Sequence, residues 1–235
     1  MSRLKEYFNR TGGSYLRSKN VDMIISYLAL RRWIGMLGIA LPFVCVMGGL
    51  LLSGTPVQDS ISSYYYTNMR DFFCGLLISV SLFLATYRGY ERIDSIVSKV
   101  SGIAGFGIAL FPCYHDFVPS RLVGVFQLSP ESSDKIHLTC ACIFFILLGI
   151  NSFFLFTLSD QKAELRSPRK NLRNRIYHLC GLIIFASIVL LVLLRFILGS
   201  VILSEDRIIL ILEAVMLLAF GFSWLIKGKT LFRDN

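Results

Sequence analysis

Apolar and polar residues in this chain fall into blocks instead of alternating. Six apolar runs can be drawn: Trp33 to Ser53, Phe72 to Tyr87, Ile96 to Cys113, Ile136 to Leu158, Tyr177 to Gly199, and Ile208 to Ile226. At about 1.5 Å of rise per residue, helices of these lengths approach or exceed the roughly 30 Å hydrocarbon thickness of a bilayer. None shows the period-two alternation of a transmembrane strand. In lipid a helix pairs its own backbone polar groups, so the blocks predict an all-α polytopic membrane protein with six transmembrane helices in one bundle. The second run is short, and Ser98, Lys99 and Ser101 dilute the start of the third. Pro42 is a candidate kink in the first run. Residues 21–30, VDMIISYLAL, fit either an interfacial amphipathic helix or an inward extension of the first span.

Charge orients the blocks. Nineteen of the 24 Lys and Arg residues fall before the first run, between the second run and the diluted start of the third (Lys99 included), between the fourth and fifth, or after the sixth. Four fall in the alternate loops, and Arg195 lies inside a run. The positive-inside rule then predicts both termini in the cytoplasm and the 60–73 segment, SISSYYYTNMRDFF, outside. The expected organisation is a cytoplasmic or interfacial segment over 1–32, a transmembrane domain over 33–226 and a tail over 227–235. The first apolar run starts late and is full length, which predicts a retained anchor and not a cleaved signal.

Composition agrees with the pattern. Only 17% of the 235 residues are charged, and mean hydropathy is +0.63. The net charge of +9 is accounted for by an anionic inner leaflet, without nucleic acid. The basic stretch KAELRSPRKNLRNR over 162–175 reads as a topology determinant, with lipid-headgroup binding as its alternative. The six cysteines lie within or at the ends of apolar runs and read as small buried side chains. Ser98, Gly102, Gly105 and Ala109 form a small-residue stripe suited to close helix packing.

With that topology, the ionisable residues converge toward the outer side. Arg70 and Asp71 open the second helix, His115 and Asp116 follow the third, and Asp134 and His137 begin the fourth. Arg195 is four residues inside the expected outer end of the fifth, about 6 Å deep, and Glu213 is five residues inside the sixth, about 7–8 Å deep. A short turn makes these two helices antiparallel neighbours, so Arg195 and Glu213 are expected to pair. The predicted ligand-binding set is Arg195, Glu213, His137, Asp71, Arg70, Tyr65, Ser63 and His115. Asn151 lies close to four turns after His137, on the same face, placed to hydrogen-bond across the bundle.

No metal or cofactor is expected. His115 and His137 belong to the outer side and His178 to the inner, so three histidines cannot meet at one zinc ion. Three functions are compatible with the residues. The first is binding of a lipid headgroup or small polar ligand, without catalysis; membrane lipids are then the partners and a homo-oligomer is open. The second is transport or conduction through Glu213 and Arg195. The third is an intramembrane hydrolase, for which no local motif is visible. The segments ISSYYYTNMRDFFCGLL, YRGYE, AGFGIALFP, HLTCACIFF, RNRIYHLCG and LEAVMLLAFGFSWLIKG resemble a family of small six-helix bacterial inner-membrane proteins over roughly residues 30–230. The polar Ser-containing first loop, His137 before FF and Glu213 in the last helix are more distantly similar to the DRAM/Frag/Sfk-type membrane family. That resemblance implies a role in lipid and membrane homeostasis, and it implies that Ser62 or Ser63, His137 and Glu213 face the pocket.

Overall fold

The computed structural model describes residues 2–89, 91–115, 122–158, 167–205 and 207–229, without the side chains of 2–25, 195 and 198–205. Among the described residues the chain is helical, without strands. Its six α-helices are α1 (Ser2–Leu52), α2 (Arg70–Thr86), α3 (Arg92–Leu110), α4 (Pro130–Phe153), α5 (Pro168–Glu205) and α6 (Ile208–Lys227). Two short 3-10 turns, Ser62–Tyr66 and Leu155–Thr157, punctuate the loops. Five of the six helices are long and apolar enough to cross a membrane. The exception is α2, whose 17 residues extend about 26 Å at 1.5 Å per residue.

Helix ends differ from the apolar runs for identifiable reasons. Hydropathy marks the part of a helix that suits lipid, whereas the hydrogen-bonded ladder continues into polar sequence until a cap stops it. Glu91 and Asp94 form a capping box, so α3 begins at Arg92 and includes its polar first turn. Ser129 caps α4 by accepting from the Ser132 N–H, with Pro130 in the first turn, six residues before the expected start. Residues 21–30 extend the first helix and form no separate element, and its apolar span is Ser26–Leu52. The fifth helix runs past Gly199 to Glu205.

Each helix packs on its neighbours in sequence, and α6 closes the ring against α1. Outward surfaces are apolar: Ile103 is 67% exposed and Phe196 84%. An aqueous surface rarely shows contiguous patches of this kind, whereas acyl chains solvate them. The polar residues are inside. Ser81, Ser98, Ser101, Asn151, Ser152 and Ser223 are fully buried, and Ser152 bonds Ser223 across α4 and α6 at 2.9 Å. The small-residue stripe of α3 is buried, with Gly102 against α2. A Cβ at Gly102 would stand 2.5 Å from the Ser81 carbonyl oxygen, so the two backbones touch there. Asn151 accepts from Ser98 of α3 at 3.5 Å, a bond across the bundle.

Alternation of the helices leaves two chemically different ends. One gathers residues 53–69, 111–115, 122–129 and 207. The other joins α1, α6 and the loops after α2 and α4. There the Tyr27 hydroxyl donates to the Arg88 carbonyl, Arg32 donates to the Gly228 carbonyl at 3.0 Å, and Lys227 donates to the Phe156 carbonyl at 3.1 Å.

Candidate functional site

The first of these ends carries the candidate site. Its centre is the loop after α1. Pro56 and the Asp59–Ser60 pair break helix, and the chain re-enters order as the 3-10 turn Ser62–Tyr66. This loop folds inward over the bundle: Ser62, Ser63, Tyr64 and Tyr65 are all buried. Two backbone bonds pin it to α6. The Leu210 N–H donates to the Asp59 carbonyl at 3.0 Å, and the Ile61 N–H donates to Glu213 Oε2 at 2.6 Å.

The next residue, Ser62, meets α4. Its Oγ lies 3.0 Å from His137 Nε2, while His137 Nδ1 lies 2.7 Å from the Phe111 carbonyl oxygen. A carbonyl can only accept, so Nδ1 carries a proton. The neutral ring then presents a lone pair at Nε2, and the Ser62 hydroxyl donates to it. His137 is 3% exposed and Ser62 8%. Ser62 lines a cavity of about 30 Å³, which it shares with Glu213 and with apolar side chains that include Leu41, Phe73, Ile108 and Phe144. This is space on the scale of a water molecule, whose share of liquid volume is about 30 Å³.

A second group flanks the centre. Arg70 donates to the Tyr65 hydroxyl at 2.6 Å, with its guanidinium 4.2 Å from that ring's centre. Tyr66 donates to the Cys113 carbonyl at 2.7 Å and meets the His115 ring edge-on at 5.3 Å. Burial pushes the Tyr66 phenol up, so it stays a neutral donor. Burial, reinforced by the nearby Glu213, pushes the Cys113 thiol up to about 12, which leaves it a poor nucleophile. Asp134 accepts from the Tyr114 N–H at 2.8 Å and Ser133 donates to the Pro112 carbonyl at 2.8 Å, so α4 also fixes the loop after α3.

Of the residues singled out by sequence, Glu213 and His137 therefore meet at the same loop, through Ile61 and Ser62. Arg70, Tyr65 and His115 form the flanking group. Ser63 turns back to Ser60, whose Oγ accepts from the Ser63 N–H at 3.0 Å. Asp71 is exposed on the first turn of α2. The side chain of Arg195, like Asp116 and residues 162–166, lies outside the described residues. The fifth helix runs beyond its expected end at Gly199. Arg195 stands ten residues before the end of α5 and Glu213 five after the start of α6, so their levels differ by about 7 Å at 1.5 Å per residue. Glu213 itself accepts from a backbone N–H 152 residues away.

Sequence reading passed over the cluster at the opposite end. There Arg31 lies between Tyr27 and Tyr87, Tyr87 packs edge-on against Trp224, and Lys227 sits 5.0 Å from the Phe156 ring centre. The four-residue spacing of Tyr27 and Arg31 was its one local signal. Among the described residues no three His, Cys, Asp or Glu side chains gather as a metal site.

The fold defines a class: an all-helical bundle of membrane-spanning type with a hydrogen-bonded polar cluster at each end. No family model matches the chain, and no curated protein or solved structure matches it either.

Proposed function

We propose that this chain crosses a bacterial inner membrane six times, with both termini cytoplasmic, and binds the headgroup of a membrane lipid from the outer side. The observation that carries this reading is the convergence of the first loop, α4 and α6 on Ser62, His137 and Glu213 beside an apolar cavity. Polar groups at that depth cost free energy unless they are paired, and a bundle retains them where they serve a purpose. The exposed Arg70, braced on Tyr65 within three residues of Ser62, suits a phosphate. Glu213 suits the cationic part of a zwitterionic headgroup. A cavity of about 30 Å³ is too small for a whole headgroup, so the ligand sits at the mouth with an apolar portion toward Phe73 and Phe144. The bacterial setting and the link to membrane homeostasis rest on the family resemblance.

The orientation has a direct check. Asn68→Cys, at an exposed position, will react with a membrane-impermeant maleimide in intact cells. Labelling only after the cells are opened would reverse the topology.

Binding is tested by lipid that survives purification in mild detergent. Native mass spectrometry will find bound phospholipid on the wild-type chain. Glu213→Gln keeps the side-chain shape but weakens a charge-assisted contact of roughly 1.5–3 kcal/mol, so the bound fraction should fall by about tenfold or more. A wild-type chain free of lipid, or equal occupancy in both proteins, would end the reading.

A further inference from the structure

The contact between Ser62 and His137 has the form of an activated nucleophile. Their separation of 3.0 Å lies within the range of roughly 2.6–3.2 Å that a general base requires. The base is itself oriented by a third group, since the Phe111 carbonyl accepts from Nδ1–H at 2.7 Å and leaves Nε2 free to take a proton. Three parts of the chain supply these atoms: the 3-10 turn, α4 and the end of α3. The carboxylate of Glu213 holds the Ile61 N–H and so positions the residue next to the nucleophile. Cys113, the neighbouring thiol, is buried and protonated, which leaves the serine as the one activated group at this site. The cavity that Ser62 lines has two polar residues, Ser62 and Glu213; the rest of its wall is apolar, including Leu77, Ile108 and Leu217. Such a wall suits the apolar part of a lipid seated at the mouth, with its reactive carbon at the polar end.

We propose that Ser62 and His137 are catalytic residues that hydrolyse an acyl ester of a membrane lipid. This rests on the headgroup-binding reading for delivery of the substrate and goes beyond it in chemistry. In the first step Ser62 Oγ bonds the acyl carbon and the ester C–O bond breaks. The hydroxyl proton passes to His137 Nε2 and then to the departing oxygen, which leaves as an alcohol. In the second step water gives a proton to Nε2 and bonds the acyl carbon. Ser62 Oγ leaves and recovers the proton. Ester and water become carboxylic acid and alcohol, with no change of oxidation state.

The test uses the full chain in native membranes and a long-chain alkyl fluorophosphonate, which forms a P–O bond to an activated serine with loss of fluoride. Peptide mass mapping should find one adduct, on Ser62. Ser62→Ala should carry none, and Ser79→Ala should label as wild type. His137→Gln should react at least about 100-fold more slowly, the scale of lost general-base catalysis. If His137→Gln does not fold, heat-unfolded wild-type protein replaces it, because the same serine without its partner should stay unlabelled. No adduct on folded wild type, or equal rates with and without the histidine, overturns the proposal. Lipid occupancy measured on the same samples separates the two readings. Lipid without an adduct makes the pair a structural tie and leaves binding intact; an adduct without retained lipid does the reverse.

Discussion

Arg31→Ala will lower the thermal unfolding midpoint of the detergent-solubilised chain by a margin that few other polar substitutions in this bundle match. The Arg31 guanidinium donates to the Lys227 carbonyl at 3.2 Å, to the Tyr27 hydroxyl at 2.9 Å and to the Tyr87 hydroxyl at 3.0 Å. One side chain thus ties α1 to the end of α6 and to the residue that ends α2. It also lies 4.2 Å from the centre of the Tyr27 ring, and Tyr27 stacks on Tyr87 with centroids 5.6 Å apart. Burial pushes the Tyr87 phenol up, so it remains a neutral acceptor for the guanidinium. Hydrogen bonds to a charged group contribute roughly 1.5–3 kcal/mol each, and truncation would leave Tyr87, 1% exposed, short of a partner. A loss of about 3 kcal/mol or more is expected. Arg31→Lys should recover less than half of it, because an ammonium cannot reach in three directions as a planar fork does. Scanning fluorimetry on the three proteins decides the matter: an alanine variant that melts with wild type would show that this cluster holds nothing together.

The second large effect is steric. Gly221→Val will separate α6 from α1. A Cβ at Gly221 would stand 2.6 Å from the Gly35 carbonyl oxygen and 3.0 Å from the Ile39 nitrogen. Reciprocally, a Cβ at Gly35 would stand 2.7 Å from the Gly221 carbonyl oxygen and 2.8 Å from the Leu225 nitrogen. These obstacles are backbone atoms, which cannot rotate aside as a side-chain tip does. Overpacking costs roughly 1–3 kcal/mol and at times more, and this seam belongs at the upper end. Gly221→Ala should cost less than valine, and the Gly35→Ala/Gly221→Ala pair less than the sum of its members, because the first substitution opens the space that the second needs. Unchanged melting of Gly221→Val would contradict so close an approach. The seam also matters for the site. Glu213 and Leu217 come from α6 and Leu41 from α1, so opening it displaces the cavity wall and the carboxylate that holds Ile61.

The two ends of the molecule differ in how far the sequence announced them. Block hydropathy marked every helix, because desolvating a helical segment depends on its own side chains. The stripe from Ser98 to Ala109 was readable for the same reason: a small residue every three or four positions makes one face of a helix whatever packs there. His137 and Asn151 were placed on one face by periodicity, and both are buried. The pairing of Arg195 with Glu213 depended on where α5 ends, and the apolar residues after Gly199 carry that helix on to Glu205. Counting Lys and Arg treats every cation alike, so it recorded Arg31 and Lys227 as charges without marking the aromatic setting in which each is held.

The sequence by itself determined that this is a helical protein with apolar outward surfaces and basic residues concentrated on alternate loops. Those properties are sums over local segments, and no contact is needed to evaluate them. Only the tertiary structure decided that Ser62 meets His137, 75 residues away, and that Glu213 takes its hydrogen bond from Ile61. These partners are joined by the order of helices around the ring and by the inward fold of one loop. Such contacts form because each buried polar group must find a partner in the packed bundle, and which partner lies within 3 Å depends on all six helices at once.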